Sequence, residues 1–263
     1  MDLATSLRGR KGLVIGIANE QSIATGCARA FRAAGAELAV TYLNDKAEPH
    51  VRPIAEALEA PLCLPLDMRE PGQLDAVFGA VERLWGGLDF VLHSIAYCPK
   101  ADLQARLTDC SREGFLEAMD VSVHSFLRVA RLAEPLMSQG PFAARSGALL
   151  TMSYYGAEKV VEHYNVMGPV KAALEACVRY MAAELGPRNI RVHALSPGPI
   201  ATRAASGIAH FDALMERARR ESPEGRLVTI EEVGAVAAFL ASEAASGMTG
   251  TVTYVDAGVN IVD

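Results

Sequence analysis

The chain has 263 residues, of which 51% are hydrophobic and 21% charged, enough to bury one large core. Its net charge of −6, without a clustered Lys/Arg stripe, argues against a nucleic-acid groove or an anionic membrane surface. No apolar run reaches membrane-spanning length, and Met1 to Lys11 lacks the apolar core of a secretory signal, so a cytoplasmic protein is expected. Short β-rich runs then follow in chain order at Gly12 to Ala18, Glu37 to Leu43, Pro61 to Asp67, Leu88 to Ala96, Gly147 to Tyr154, Ile190 to Ser196 and Thr251 to Asp256. Amphipathic helical stretches fall between them at about 22–35, 46–60, 70–85, 111–137, 165–186 and 229–245.

Strands that are apolar nearly throughout must be covered on both faces, and their alternation with helices gives right-handed βαβ units. The expected fold is α/β, doubly wound and Rossmann-type, with a seven-stranded parallel sheet flanked by helices. No linker, repeat or low-complexity tract divides residues 1–263, which read as a single domain. Segments 97–110 and 197–228 fit neither pattern. Both follow strands, on the edge where open α/β sheets bind ligands, and long loops there are usually functional.

The first strand runs into Gly16-Ile17-Ala18-Asn19-Glu20-Gln21-Ser22-Ile23-Ala24-Thr25-Gly26. Gly16 permits a sharp turn, Gly26 would let helix and sheet approach, and amides near Ser22 and Ile23 can face a pyrophosphate at a positive helix end. The full Gly-x-Gly-x-x-Gly fingerprint is absent, so a βα turn without a ligand stays open. After the second strand, Asp45 could accept from an adenosine ribose and Lys46 is the sole nearby cation before Arg52, which favours NADH over NADPH. Asp67 could bind the adenine amino group or cap the helix near Glu70. Ser94-Ile95-Ala96 ends the fourth strand with small residues suited to passing a nicotinamide ribose.

Two Tyr/Lys pairs compete as proton or hydrogen-bond donors. Tyr164 and Lys171 are seven residues apart, about two helical turns, and Pro169 belongs in a first turn, so the helix starts near 165–168 with Tyr164 at its mouth. Tyr155 and Lys159 have the Tyr-x-x-x-Lys spacing of ordinary short-chain dehydrogenases. There the lysine leads into Lys-Ala-Ala-Leu, which is Lys171-Ala172-Ala173-Leu174 here, so Tyr164 with Lys171 is the better match.

That displaced tyrosine, with Tyr154 ten residues earlier, is similar to the pattern of the enoyl-acyl-carrier-protein reductases of the divergent short-chain dehydrogenase group. The resemblance runs nearly end to end: the Gly16 to Ser22 turn, Thr41-Tyr42, His93-Ser94-Ile95, Gly156-Ala157-Glu158, Tyr164 to Gly168, Gly198-Pro199-Ile200 with Thr202, and Ala204 to Ile208. It implies hydride transfer from NADH to an enoyl thioester in fatty acid biosynthesis. The implied catalytic residues are Tyr154, Tyr164 and Lys171, with Lys171 holding the nicotinamide ribose and favouring a phenolate-like tyrosine. The implied cofactor residues are Gly16, Ser22, Ile23, Leu43, Asp67, Met68, Ser94, Ile95, Lys171, Ile200, Ala201, Thr202, Arg203 and Ala204, and Cys98 is substrate-side. It further implies acyl carrier protein as partner and a homotetramer, while residues 197–228, rich in Ala, Arg and Glu after the Pro199 turn, could form a helical substrate lid. Ala96 in place of the family's common Gly, Leu43, and the Ser196-Pro197-Gly198 loop depart from the pattern and suggest altered specificity. Cys98 is a reactive thiol or a small buried hydrophobe. The five separated cysteines form no metal motif and read mostly as buried reduced thiols, and no histidine has a carboxylate or second histidine at useful spacing. The rivals are a carbonyl reductase or alcohol dehydrogenase on the same scaffold, and a catalytically silent NAD(H)-binding protein.

Overall fold

In a computed structural model describing residues 5–202 and 210–262, the seven strands are β1 (Lys11–Ile15), β2 (Glu37–Tyr42), β3 (Leu62–Pro65), β4 (Phe90–His93), β5 (Gly147–Met152), β6 (Ile190–Pro197) and β7 (Thr251–Val255). All pair in parallel, in the order β3-β2-β1-β4-β5-β6-β7. Each expected strand is present; most are shorter than expected, whereas β6 runs one residue further, to Pro197. The order reverses between β1 and β4, and ligands of open α/β sheets bind beyond the carboxyl ends at that point.

Alternate side chains feed two cores. Leu13, Val91, Leu149 and Val192 pack beneath α3 (Gln73–Trp85), α6 (Ser125–Met137) and α7 (Met167–Leu185). Val14, Leu38, Phe90, Leu92 and Leu150 pack beneath α1 (Ile23–Ala33), α2 (Glu48–Ala57) and α9 (Ile230–Ala241). Two covered faces explain why the strands carry so few polar residues. Segment 97–110 contains the short α4 (Lys100–Gln104). The long run at 111–137 is α5 (Arg112–Met119), a π-helical stretch at Asp120–His124, and α6. Segment 197–228 contains α8 (Phe211–Glu221).

Two expectations change. Gly26 serves a helix–helix contact rather than a helix–sheet one: a Cβ there would lie 2.2 Å from the Ile230 carbonyl oxygen, and one on Gly234 would lie 2.4 Å from the Gly26 oxygen. Asp67 caps no helix at Glu70, because α3 begins at Gln73 behind the left-handed Gly72. The α9 start is fixed by a capping box between Thr229 and Glu232.

Gly26→Ala must push α1 off backbone that cannot yield, so a loss of about 1–3 kcal/mol is expected in urea unfolding. An unchanged midpoint would show that the α1/α9 contact is slack.

Candidate active site

The site forms at the β5 and α7 ends. Tyr164 sits between two residues with left-handed backbone, His163 (φ 62°) and Asn165 (φ 43°). Asparagine tolerates that region well, and the two turns carry the tyrosine ahead of α7 instead of on its axis. Pro169 is the third residue of α7, inside the first turn as expected. Asn165 Nδ2 donates to the Leu103 carbonyl at 2.8 Å, tying this turn to segment 97–110. The Tyr164 ring rests on Gly156, where a Cβ would lie 2.6 Å from its Cδ1.

Tyr154 meets Tyr164 edge to face, with ring centroids 4.9 Å apart. The Tyr154 hydroxyl is buried with no hydrogen-bond partner among the described residues, an unusual state that a ligand would relieve. Lys171 is buried and its Nζ donates to the Met152 carbonyl at 2.6 Å. Tyr154 and Tyr164 are thus in contact, and Lys171 reaches the same strand end two residues before Tyr154. Tyr155 and Lys159 are not a catalytic pair: Lys159 is exposed and its Nζ donates to the Val262 carbonyl at 2.7 Å.

Burial pushes the Tyr164 phenol up, with Glu175 adding to the shift, so it stays protonated at neutral pH. This corrects the expected phenolate-like character: the group is suited to donating a hydrogen bond. Burial likewise pushes Tyr154 up. Burial pulls Lys171 down to about 8, opposed by the Glu175 carboxylate. Glu175, one turn along α7, accepts from Ser153 Oγ, and its own carboxyl is pushed up by burial. Sequence reasoning missed this pair. A lone acid at the i+4 position after a lysine was its one signal. His93 joins Thr151 (3.0 Å) and Ser125 (2.8 Å), and burial pulls it down to about 3, so it is a neutral structural linker.

At the cofactor end, Gly16 (φ 103°) lies so close to β4 that a Cβ would fall 2.1 Å from the Ser94 carbonyl oxygen. Ser22 Oγ turns back to accept from Ala18 N (3.1 Å) and Asn19 N (2.9 Å), so no side chain caps α1. The first-turn amides at Ile23 are left to an anion, and this cradle fits a dinucleotide pyrophosphate. Asp67 is gripped by Arg69, which holds its carboxyl below the usual range. Met68 is buried and its carbonyl accepts from Arg128 at 2.8 Å. Leu43 is exposed at the β2 end, Ile95 packs on the core, and Ile200 to Thr202 follow β6. Arg203 and Ala204 lie outside the described residues.

Cys98 is half-buried, and burial pushes its thiol up to about 11, which disfavours the reactive-thiol reading. Of the five free cysteines only Cys27 is fully buried, a correction to the expectation for most of them. The rings of His163 and His210 approach to 4.9 Å, a pairing that a sequence separation of 47 hid. Both line a cavity of about 710 Å³ with Tyr155, Val161, Leu214 and Arg217.

The model of the family described as enoyl-(acyl carrier protein) reductase matches residues 16–260. The chain belongs to that family. It is 47% identical over 256 residues to enoyl-[acyl-carrier-protein] reductase [NADH] 1 of Rhizobium meliloti, covering 97% of this chain and 92% of the relative. The crystal structure of the NADH enoyl-[acyl-carrier-protein] reductase from Aquifex aeolicus superposes with a TM-score of 0.91 at 45% identity, covering 97% of this chain and 98% of that one. The Anaplasma phagocytophilum reductase, solved in complex with NAD, gives 0.91 at 44% identity, covering 97% and 95%. In this reductase Tyr164 and Lys171 are buried and Tyr154 is half-buried.

Lowering Lys171 from 10.5 to about 8 means its charge costs on the order of 3 kcal/mol in the folded state. The unfolded chain binds the extra proton between those two values, so this destabilisation is full below pH 8 and is relieved as pH rises toward 10.5. Against Lys171→Met, wild type should therefore gain relative stability between pH 8 and 10 in chemical denaturation. A pH-independent difference would show that the amine carries no such cost.

Proposed function

We propose that the protein reduces the 2,3 double bond of trans-2-enoyl thioesters carried on acyl carrier protein, with NADH as reductant, in fatty acid biosynthesis. The observation that carries this reading is the Tyr164 ring packed edge to face on Tyr154, whose hydroxyl is buried without a partner among the described residues, with the Lys171 amine buried on the carbonyl of Met152, two residues before Tyr154. NADH, when bound, supplies the hydride that the substrate β-carbon receives. Negative charge then develops on the thioester oxygen as an enolate, the Tyr164 hydroxyl donates a hydrogen bond to it, and a proton taken from solvent at the α-carbon gives the saturated thioester. A donor already buried and oriented costs no reorganisation at that moment. Tyr154 packs against Tyr164 and orients it. Lys171 keeps one N–H on Met152 and has two more for the nicotinamide ribose hydroxyls.

Gly16, Ser22 and Ile23 take the pyrophosphate, and Leu43, Asp67 and Met68 the adenine. Ser94, Ile95 and Ile200 to Thr202 line the nicotinamide side, while Cys98 faces the acyl chain. An apolar Leu43 offers nothing to a 2′-phosphate, which supports NADH over NADPH. Among the described residues of 197–228, α8 acts as the substrate lid, bordering the 710 Å³ cavity within a single domain. No helix of the described residues is long and apolar enough to cross a membrane. The working form is a cytoplasmic homotetramer, supported by Phe115, Leu116, Leu127 and Tyr180, which expose apolar surface on α5 to α7.

Tyr164→Phe removes only the donor. Turnover of crotonyl thioester, followed as loss of NADH absorbance, should fall about 10²- to 10³-fold with NADH affinity unchanged. Normal turnover by this variant would sink the assignment.

A further inference from the structure

Arg69 joins three parts of the chain. Its Nε and Nη2 hold the two Asp67 oxygens at 3.0 and 2.7 Å, and its own backbone N–H donates to Oδ1 at 3.0 Å. Its guanidinium carbon lies 5.1 Å over the centre of the Tyr97 ring. Its Nη1 is 3.6 Å from Glu117 on α5. Asp67 follows β3 on the adenine side of the switch point, whereas Tyr97 follows β4 and opens segment 97–110 at the crevice. Tyr97 is held in turn by Ser122, whose Oγ accepts from its N–H at 3.0 Å and donates to its carbonyl at 3.1 Å. The same segment supplies the Leu103 carbonyl that anchors Asn165, next to Tyr164.

We propose that Arg69 is a positioning residue that couples the adenine end of the cofactor site to the acyl end, gripping Asp67 with its fork and Tyr97 with its face. This rests on the reductase reading above. A carboxylate offers about four acceptor positions, and Arg69 fills three of them on Asp67. The remaining one, on Oδ2, is thereby aimed and free to accept from the adenine amino group. Without Arg69 the carboxylate can rotate and the Tyr97 ring loses its stacking partner, so both ends of the crevice loosen together.

A purely structural ion pair predicts something different. Arg69 is 43% exposed, and exposed pairs contribute little to stability. Arg69→Ala should leave the melting temperature within about 2 °C. It should weaken NADH binding, read by fluorescence titration, and raise the crotonyl-thioester KM, each by about fivefold or more, with kcat within about twofold. Arg69→Lys keeps the charge but not the fork and should not restore NADH affinity. Tyr97→Leu should raise the thioester KM as well, and the Arg69→Ala/Tyr97→Leu double variant should be no worse than the poorer single variant. Additive KM effects, or a melting-temperature loss with both constants unchanged, would overturn the proposal. NADH titration needs no acyl substrate. A wild type that turned over no thioester would therefore remove the reductase reading, while the titration still decided whether Arg69 positions Asp67.

Discussion

A buried ammonium on one carbonyl organises the active end of this molecule. Lys171 has left water for a position where Met152 is its hydrogen-bond acceptor, at the carboxyl end of a central strand. Such burial is unfavourable on its own, and three features offset it. Glu175 supplies opposite charge one turn away, Ser153 fixes that carboxylate, and the α7 packing against β6, the neighbour of β5, holds the backbone that carries both. Because residues 152 and 153 are read by two side chains of the same helix face, strand and helix cannot slide without breaking both contacts. The tyrosines are placed relative to that fixed joint.

The second constraint is the closeness of β1 and β4. Only a glycine fits at position 16, against the Ser94 carbonyl. The chain therefore turns sharply at the switch point, and α1 starts with uncapped amides facing the crevice. Ser22 turning inward leaves that end open to phosphate. Segment 97–110 touches both sides of this point, through Leu103 to Asn165 and through Tyr97 to Arg69.

Most of the fold was legible because both sheet faces are buried and the strands stand out as apolar runs. Lys171 was identifiable from its Ala-Ala-Leu continuation, and the helix start from Pro169. The rest depended on contacts without a sequence period. The Arg69 fork joins neighbours whose meaning appears only once Tyr97 is beside them. His163 and His210 meet across a turn and a helix. Gly26 read correctly as a close-packing glycine, yet its partner was a helix 200 residues away, which no local pattern specifies. The protonation of Tyr164 followed from how deeply its ring is enclosed, a quantity absent from spacing.

The most direct test is the pH dependence of NADH affinity, measured by fluorescence titration from pH 6.5 to 10 on wild type and Lys171→Arg. An ammonium pulled down to about 8 loses its proton inside that range, whereas a guanidinium does not. Wild-type affinity should fall above pH 8 while the arginine variant stays flat. Parallel curves for the two proteins would contradict a cofactor-holding role for the buried lysine.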